Sequence, residues 1–375
     1  MAEPTSPVRP RVVLTMIVKD ESAVIARCLE SVRPLIDAYC IVDTGSSDDT
    51  KDIIRRVYAD LLGEVHDEPW QDFAYNRTRA LELARPLGDM TFMMDADDVV
   101  VLDPGFSSTA LRHRLATADV FNVDLRLGSI EYVRPQFAST KFALRYRAVL
   151  HEFLEVPDSA KRGGVISGFH VRCSSSESAR ASDPRKYEKD ALLLEGAIEG
   201  EPDEGLRTRY QFYAAQSWRD CGELDKALAG YERRATLGGW VEEIYISHLE
   251  CGHLLRRLGR STDQVIDRYL RAHDAFPSRA EALYHGAVAA RGAGRMPTAY
   301  LLATRGLAMT RPAVGLFQDP SVYDWKLTYE ASIAAFYVND LRQGRRWCDQ
   351  LLAHPNLPEN ERQAVLDNLK FYPTR

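Results

Sequence analysis

The 375-residue chain is 45% apolar and 27% charged, with a formal net charge of −6. It is longer than one core usually grows, about 250–300 residues, so two domains are expected. Its acidic balance weighs against a nucleic-acid binder, which needs a basic surface, and no run approaches the ~18–20 apolar residues of a membrane span.

The opening "MAEPTSPVRPR" lacks the apolar core of a secretory signal. Six scattered cysteines without a CxxC pair read as reduced thiols. A cytoplasmic protein with no membrane partner is expected, with a flexible start over residues 1–10.

"RVVLTMIV" (residues 11–18) is short, β-branched and nearly all apolar, the pattern of a buried strand. Helical spacing follows at Val24, Ile25, Cys28, Leu29 and Val32. "YCIVD" reads as a second strand, and "SDDTKDIIRRVYADL" as a helix with Asp48 and Asp49 in its first turn, beside the positive end of the dipole. "EVHDEPW" is a third strand, "YNRTRALELARPL" a helix and "MTFMMD" a fourth strand. This alternation predicts an α/β fold with a mostly parallel, Rossmann-like sheet.

From Val120 to Arg172 the strand signals come without helices between them, including "KFALRYRAVLHEFLEV" and "GVISGFHVRC", and predict antiparallel additions. A Ser-rich stretch, residues 174–183, reads as a mobile loop. Asp183-Pro184 then opens a helix to about Glu199. Beyond Gly200 the chain reads as helix, Gly-containing turn, helix, repeated. The turn glycines Gly222, Gly259 and Gly294 are 37 and 35 residues apart, close to the ~34-residue tetratricopeptide period. Residues 11–200 are expected to form the α/β domain and residues 201–375 an all-α repeat array.

Three of the four parallel strands run into acids: Lys19-Asp20-Glu21, Asp43, and Asp95-Ala96-Asp97-Asp98. Ligands of an open parallel sheet sit outside its carboxyl ends, so segments far apart in sequence converge on one pocket. Acids there can hydrogen-bond hydroxyls and ring N–H groups, or hold a hard cation such as Mg2+ or Mn2+. On an extended segment Asp95 and Asp97 point the same way and Asp98 turns away. Taken singly, the acid cluster also suits a solvated loop, and Asp43-Thr44-Gly45-Ser46 a plain strand-to-helix turn.

"MIVKDE", "IVDTGSSDDT" and "MMDADD", in this order and spacing, resemble family 2 glycosyltransferases of the GT-A fold over residues 11–200. With "VLHEFLEV" and the repeat tail, the chain is similar to a soluble subgroup that includes bacteriocin S-glycosyltransferases. The resemblance implies that Asp43, with Glu21 nearby, contacts the nucleoside of a nucleotide-sugar donor. Asp95 would touch the donor ribose or sugar, and Asp97 would be the main metal ligand of the DxD motif, with Asp95 beside it. His170 stands where a late metal ligand is often recruited. Arg77 matches the Arg of an Arg-Asn pair, although the Asn here precedes it as Asn76.

The His151-Glu152 pair matches the inverting base, with Glu152 favoured. On a strand the two alternate to opposite faces, so both serve one site only if the strand twists or ends there. Lys186, Tyr187 and Lys189 would close on the diphosphate. His248 and His253 read as structural.

The implied activity is a metal-dependent, inverting, hexosyl-type transfer from a UDP-sugar, using Mn2+ or Mg2+. A peptide or protein is the expected acceptor, because repeat arrays offer concave surfaces. One alternative keeps this chemistry on a small-molecule, glycan or nucleic-acid acceptor, with the array serving homodimerisation. Another is a catalytically silent binding module. The sugar, the base and the acceptor atom are left open.

Overall fold

The computed structural model describes residues 9–128, 130–174, 183–312 and 315–373. Most of the expected loose start (residues 1–8) and of the Ser-rich loop (residues 175–182) lie outside the described residues. The chain divides into two compact units, Met1–Lys186 and Tyr187–Arg375. The helix that follows Asp183-Pro184 therefore belongs almost wholly to the second unit.

In the first unit, β1 (Val12–Val18), β2 (Ala38–Asp43), β3 (Leu62–Asp67) and β4 (Met90–Met93) alternate with α1 (Ile25–Val32), α2 (Thr50–Val57) and α3 (Phe73–Ala84). They lie in the order β3-β2-β1-β4, and every pairing is parallel. The apolar runs of β1 and β2 are buried on both faces, as strands covered by helices must be. At the edge, β3 buries only Val65 and leaves Leu62 exposed. Gly63 is needed there: a Cβ would stand 2.1 Å from the Tyr39 carbonyl oxygen. Asp48 and Asp49 stand just ahead of α2, not in its first turn.

Next come β5 (Val99–Leu102), α4 (Ser108–Leu115), β6 (Val120–Leu127), β7 (Ile130–Ser139), β8 (Arg145–Arg147), β9 (Phe153–Glu155), β10 (Arg162–Val165) and β11 (Phe169–Arg172). The sheet continues from β4 through β7, β6 and β11 to β5, with β10 also against β6. β7 is antiparallel to β4 and β6, and β11 to β5. However, β10 and β11 run parallel to β6, so the added half is mixed rather than antiparallel throughout. Phe92 and Phe137 stack at 4.4 Å across the join between the two halves, and Phe169 meets both edge-on.

The expected strand through "VLHEFLEV" is interrupted. β8 and β9 form a separate hairpin, and residues 148–152 turn between them with Ala148 at φ 81° and His151 at φ 54°.

The second unit is helical: α5 (Lys186–Gly200), α6 (Glu204–Asp220), α7 (Leu224–Thr236), α8 (Val241–Arg257), α9 (Thr262–Ala275), α10 (Glu281–Gly292), α11 (Met296–Leu307), α12 (Leu327–Tyr337), α13 (Leu341–Leu352) and α14 (Glu359–Leu369). Gly222, Gly259 and Gly294 turn the chain with φ of 89°, 67° and 72°, a conformation open to glycine at little cost. Ala227 and Ala299, five residues past their turn glycines, are fully buried where helices cross closely. Among the described residues, no helix is long and apolar enough to cross a membrane.

Candidate active site

Asp43 ends β2 and is 1% exposed. Its Oδ1 accepts from the N–H groups of Gly45 (2.9 Å) and Ser46 (2.7 Å). Its Oδ2 is buried without a hydrogen-bond partner. The loops after β1 and β2 are tied to each other. Asp20 donates its N–H to Ser46 Oγ (2.9 Å), and its Oδ1 accepts from Ser47 N–H (2.7 Å) and Oγ–H (3.1 Å). Glu21 N–H donates to Thr50 Oγ1 (2.8 Å) and Ser22 N–H to Asp48 Oδ2 (3.0 Å). Burial raises the Asp48 carboxyl, but hydrogen bonds from Ser22 and Thr50 outweigh it and bring the group down to about 2. Glu21 lies partly exposed on this rim.

β4 stops at Met93, and the acids after it form a turn, with Asp98 N–H donating to the Asp95 carbonyl (3.2 Å). Strand alternation therefore does not set their directions. Asp95 Oδ1 is ion-paired with Arg77, and Oδ2 faces Arg134 Nη2 at 3.4 Å. Arg77 also reaches Glu152 Oε1 through Nε, at 2.7 Å, and lies over the Tyr146 ring at 5.8 Å. The Arg77 and Glu152 side chains are only 11% and 12% exposed. Burial alone would raise the Asp95 carboxyl; the charges of Arg77 and Arg134 overcome it and hold the group well below the usual carboxylate range. The same carboxylates hold Arg77 above its ordinary value against its own burial.

Asp98 is 3% exposed, and burial, then the nearby Asp95 and Asp97 charges, push its carboxyl up to about 8. The Cys173 thiol lies 3.8 Å from its Oδ2, and the Cys28 thiol donates to the Asp95 carbonyl (3.4 Å). Asp97 is partly exposed, with its carbonyl accepting from Arg27 (3.4 Å).

The structure brings Asp95, Arg77 and Glu152 into direct contact and puts Asp43 at the end of β2, two strands from β4. His151 precedes Glu152 in the β8–β9 turn. His170 sits on β11 opposite Val101, with Nδ1 buried and without a hydrogen-bond partner. Asp95, Asp97 and His170 do not form a ligand cluster: among the described residues no group of three or more His, Cys, Asp or Glu side chains is arranged to hold a metal ion. Lys186 is the last residue of the first unit, and Lys189 lies on α5 in the second.

Two participants escaped the sequence reading. Arg134, inside the strand text "EYVRPQF", has the acid strand as its neighbour only through the β4–β7 pairing. Tyr146 is a strand residue whose ring underlies Arg77. The swapped Asn76 has a structural part: fully buried, it accepts from Gln71 N–H (3.0 Å) and donates to the Pro69 carbonyl (3.1 Å), fixing the approach to α3.

Residues 14–108 match the profile of glycosyl transferase family 2. The chain is 30% identical over 151 residues to the TPR repeat-containing protein Synpcc7942_0270 of Synechococcus elongatus, covering 39% of this chain and 36% of that one. It is 34% identical over 91 residues to the SPbeta prophage-derived glycosyltransferase SunS of Bacillus subtilis, covering 24% and 21%. The matched segments thus span well under half of either relative. Among solved structures, S. aureus TarS is similar with a TM-score of 0.37 and 13% identity, over 72% of this chain and 55% of that chain.

Proposed function

We propose that the first unit, a family 2 glycosyltransferase domain, moves a sugar from a nucleotide-sugar donor to a peptide or protein acceptor, with inversion at the anomeric carbon. The observation that carries this reading is Asp43. One of its oxygens is fixed by two backbone N–H groups, while the other is buried and without a partner. Leaving a buried acceptor unsatisfied costs about 1–3 kcal/mol, and a nucleobase N–H or a ribose hydroxyl arriving there would relieve it. Glu152, positioned by Arg77, is the carboxylate that accepts the acceptor's proton as the acceptor attacks and the bond to the leaving diphosphate breaks.

Mg2+ and Mn2+ take oxygen ligands, and such ions are often held by one or two carboxylates with substrate phosphates completing the shell. Asp97, the partly exposed acid of the turn, fits that role, whereas both Asp95 oxygens face guanidinium groups. His170 offers an unpartnered ring nitrogen on β11. When bound, the ion neutralises charge on the leaving diphosphate. UDP is the favoured nucleotide on the motif resemblance. The repeat unit supports a peptide or protein acceptor, because such arrays present extended binding surfaces.

The test combines a panel of UDP-sugars, Mn2+ or Mg2+ and candidate peptides, with UDP release and peptide mass as readouts. Transfer that is lost in Asp97→Ala and Glu152→Gln is expected. No nucleotide binding and no release across the panel, or full activity in Asp97→Ala, would overturn the corresponding part of the reading.

A further inference from the structure

The two arginines on Asp95 are not equivalent. Arg77 is 11% exposed and bridges two carboxylates. Arg134 is 37% exposed, touches Asp95 through one Nη at 3.4 Å, near the limit of a hydrogen bond, and leaves its buried Nε without a partner. A guanidinium has five N–H donors in a rigid fork, so most of the capacity of Arg134 is open.

Its backbone is fixed in the middle of β7, opposite Val123 of β6. The β4–β7 register pairs Phe92 with Phe137, and continuing it brings Arg134 alongside Asp95. A rigid strand therefore presents a partly exposed, loosely held cation at the acid turn. A diphosphate approaching Asp95, Asp97 and Asp98 meets repulsion unless a cation there faces it, and the planar fork of arginine matches phosphate oxygens two at a time.

Resting on the glycosyltransferase reading, we infer that Arg134 binds the donor's diphosphate, exchanging its loose contact with Asp95 for phosphate oxygens. Asp95 keeps its ion pair with Arg77 when this happens. Arg134 thereby selects donors that carry the diphosphate over the bare nucleoside.

The test is calorimetry on the full chain with Mn2+ present. It uses whichever of UDP, GDP, ADP and dTDP the wild type binds best, together with the parent nucleoside. Arg134→Ala is expected to weaken diphosphate binding by about 10–100-fold, the loss of one or two charge-assisted hydrogen bonds, and to change nucleoside binding by less than about twofold. Arg134→Lys keeps the charge without the fork and is expected to weaken the diphosphate by about 3–10-fold. It carries the test if the alanine variant fails to fold.

Unchanged diphosphate affinity in a folded variant overturns the inference, as does an equal loss for nucleoside and diphosphate. Wild-type protein that binds none of the four diphosphates overturns the glycosyltransferase reading itself, and this inference with it.

Discussion

Arg77→Met removes the cation that faces both Asp95 and Glu152 and replaces it with an apolar side chain of similar reach. Asp95 retains Arg134 at 3.4 Å and is 34% exposed, so its share of the penalty is small. Glu152 is different, because its carboxylate is 12% exposed and faces Arg77 at 2.7 Å. Breaking a buried pair from one side leaves an uncompensated charge and costs about 3–5 kcal/mol. For a domain of this size each kcal/mol moves Tm by about 2–4 °C, so the first unit's transition should fall by roughly 6–20 °C.

Calorimetric melting of wild type, Arg77→Met, Glu152→Gln and the double variant closes a cycle. Glu152→Gln leaves Arg77 with Asp95 and should cost about 1 kcal/mol. The double variant removes the stranded charge and should be more stable than Arg77→Met alone, a coupling of about 1–3 kcal/mol. An Arg77→Met transition within about 2 °C of wild type, or strictly additive effects, would refute the bridging role.

Asp43→Asn keeps the shape and the oxygen that Gly45 and Ser46 N–H groups hold, but turns the unpartnered Oδ2 acceptor into an NH2 donor; nucleotide affinity should fall at least about tenfold, and calorimetric titration showing wild-type affinity would contradict the nucleoside role. In the second unit, burial and then the neighbouring His253 push the His285 ring down to about 3, and burial pushes His248 down to about 4. The unfolded rings titrate near 6.5, so this unit is most stable above that pH and loses stability as pH falls towards 3. His285→Phe should shrink the drop in melting temperature between pH 7 and pH 4, and an unchanged drop would count against burial of the ring as its cause. Gly252→Ala on α8 would place a Cβ 2.4 Å from the Tyr269 ring of α9, which is anchored by its hydroxyl contact to His253 Nδ1 at 2.9 Å. A loss of about 1–3 kcal/mol is expected, read as a lower denaturant midpoint; an unmoved midpoint would mean that the helices separate freely.

The parallel half of the sheet was legible because β1, β2 and β4 are short apolar runs and one helix stands between each of the strands β1 to β4 and the next. The repeat unit was legible because glycines recur where the chain must take a positive φ. β5 and α4 were not foreseen: four residues of strand directly behind an acid cluster give no usable period, although Ser107 does cap α4 by accepting from Ala110 N–H (3.2 Å). The break between β8 and β9 has no local signal either. Alanine does not favour positive φ, and the turn is held from outside, with Leu150 buried and Tyr146 N–H donating to Thr78 Oγ1 at 2.9 Å. Acids at strand ends could be read from order and spacing. Of their guanidinium partners Arg77 was in reach by motif, but Arg134 was not, because it meets Asp95 only through the strand order of the folded sheet.

The ties between the loops after β1 and β2 bear on how a ligand is received. Asp20, Glu21 and Ser22 are each bonded to side chains of the segment Ser46–Thr50, and Asp43 is locked by the two N–H groups that follow it. Conformational freedom in this rim is surrendered when the chain folds, not when a ligand arrives. On the proposed function, a nucleotide would meet acceptors already aimed, and its association there would be the docking of one rigid surface against another, with little ordering entropy left to oppose it.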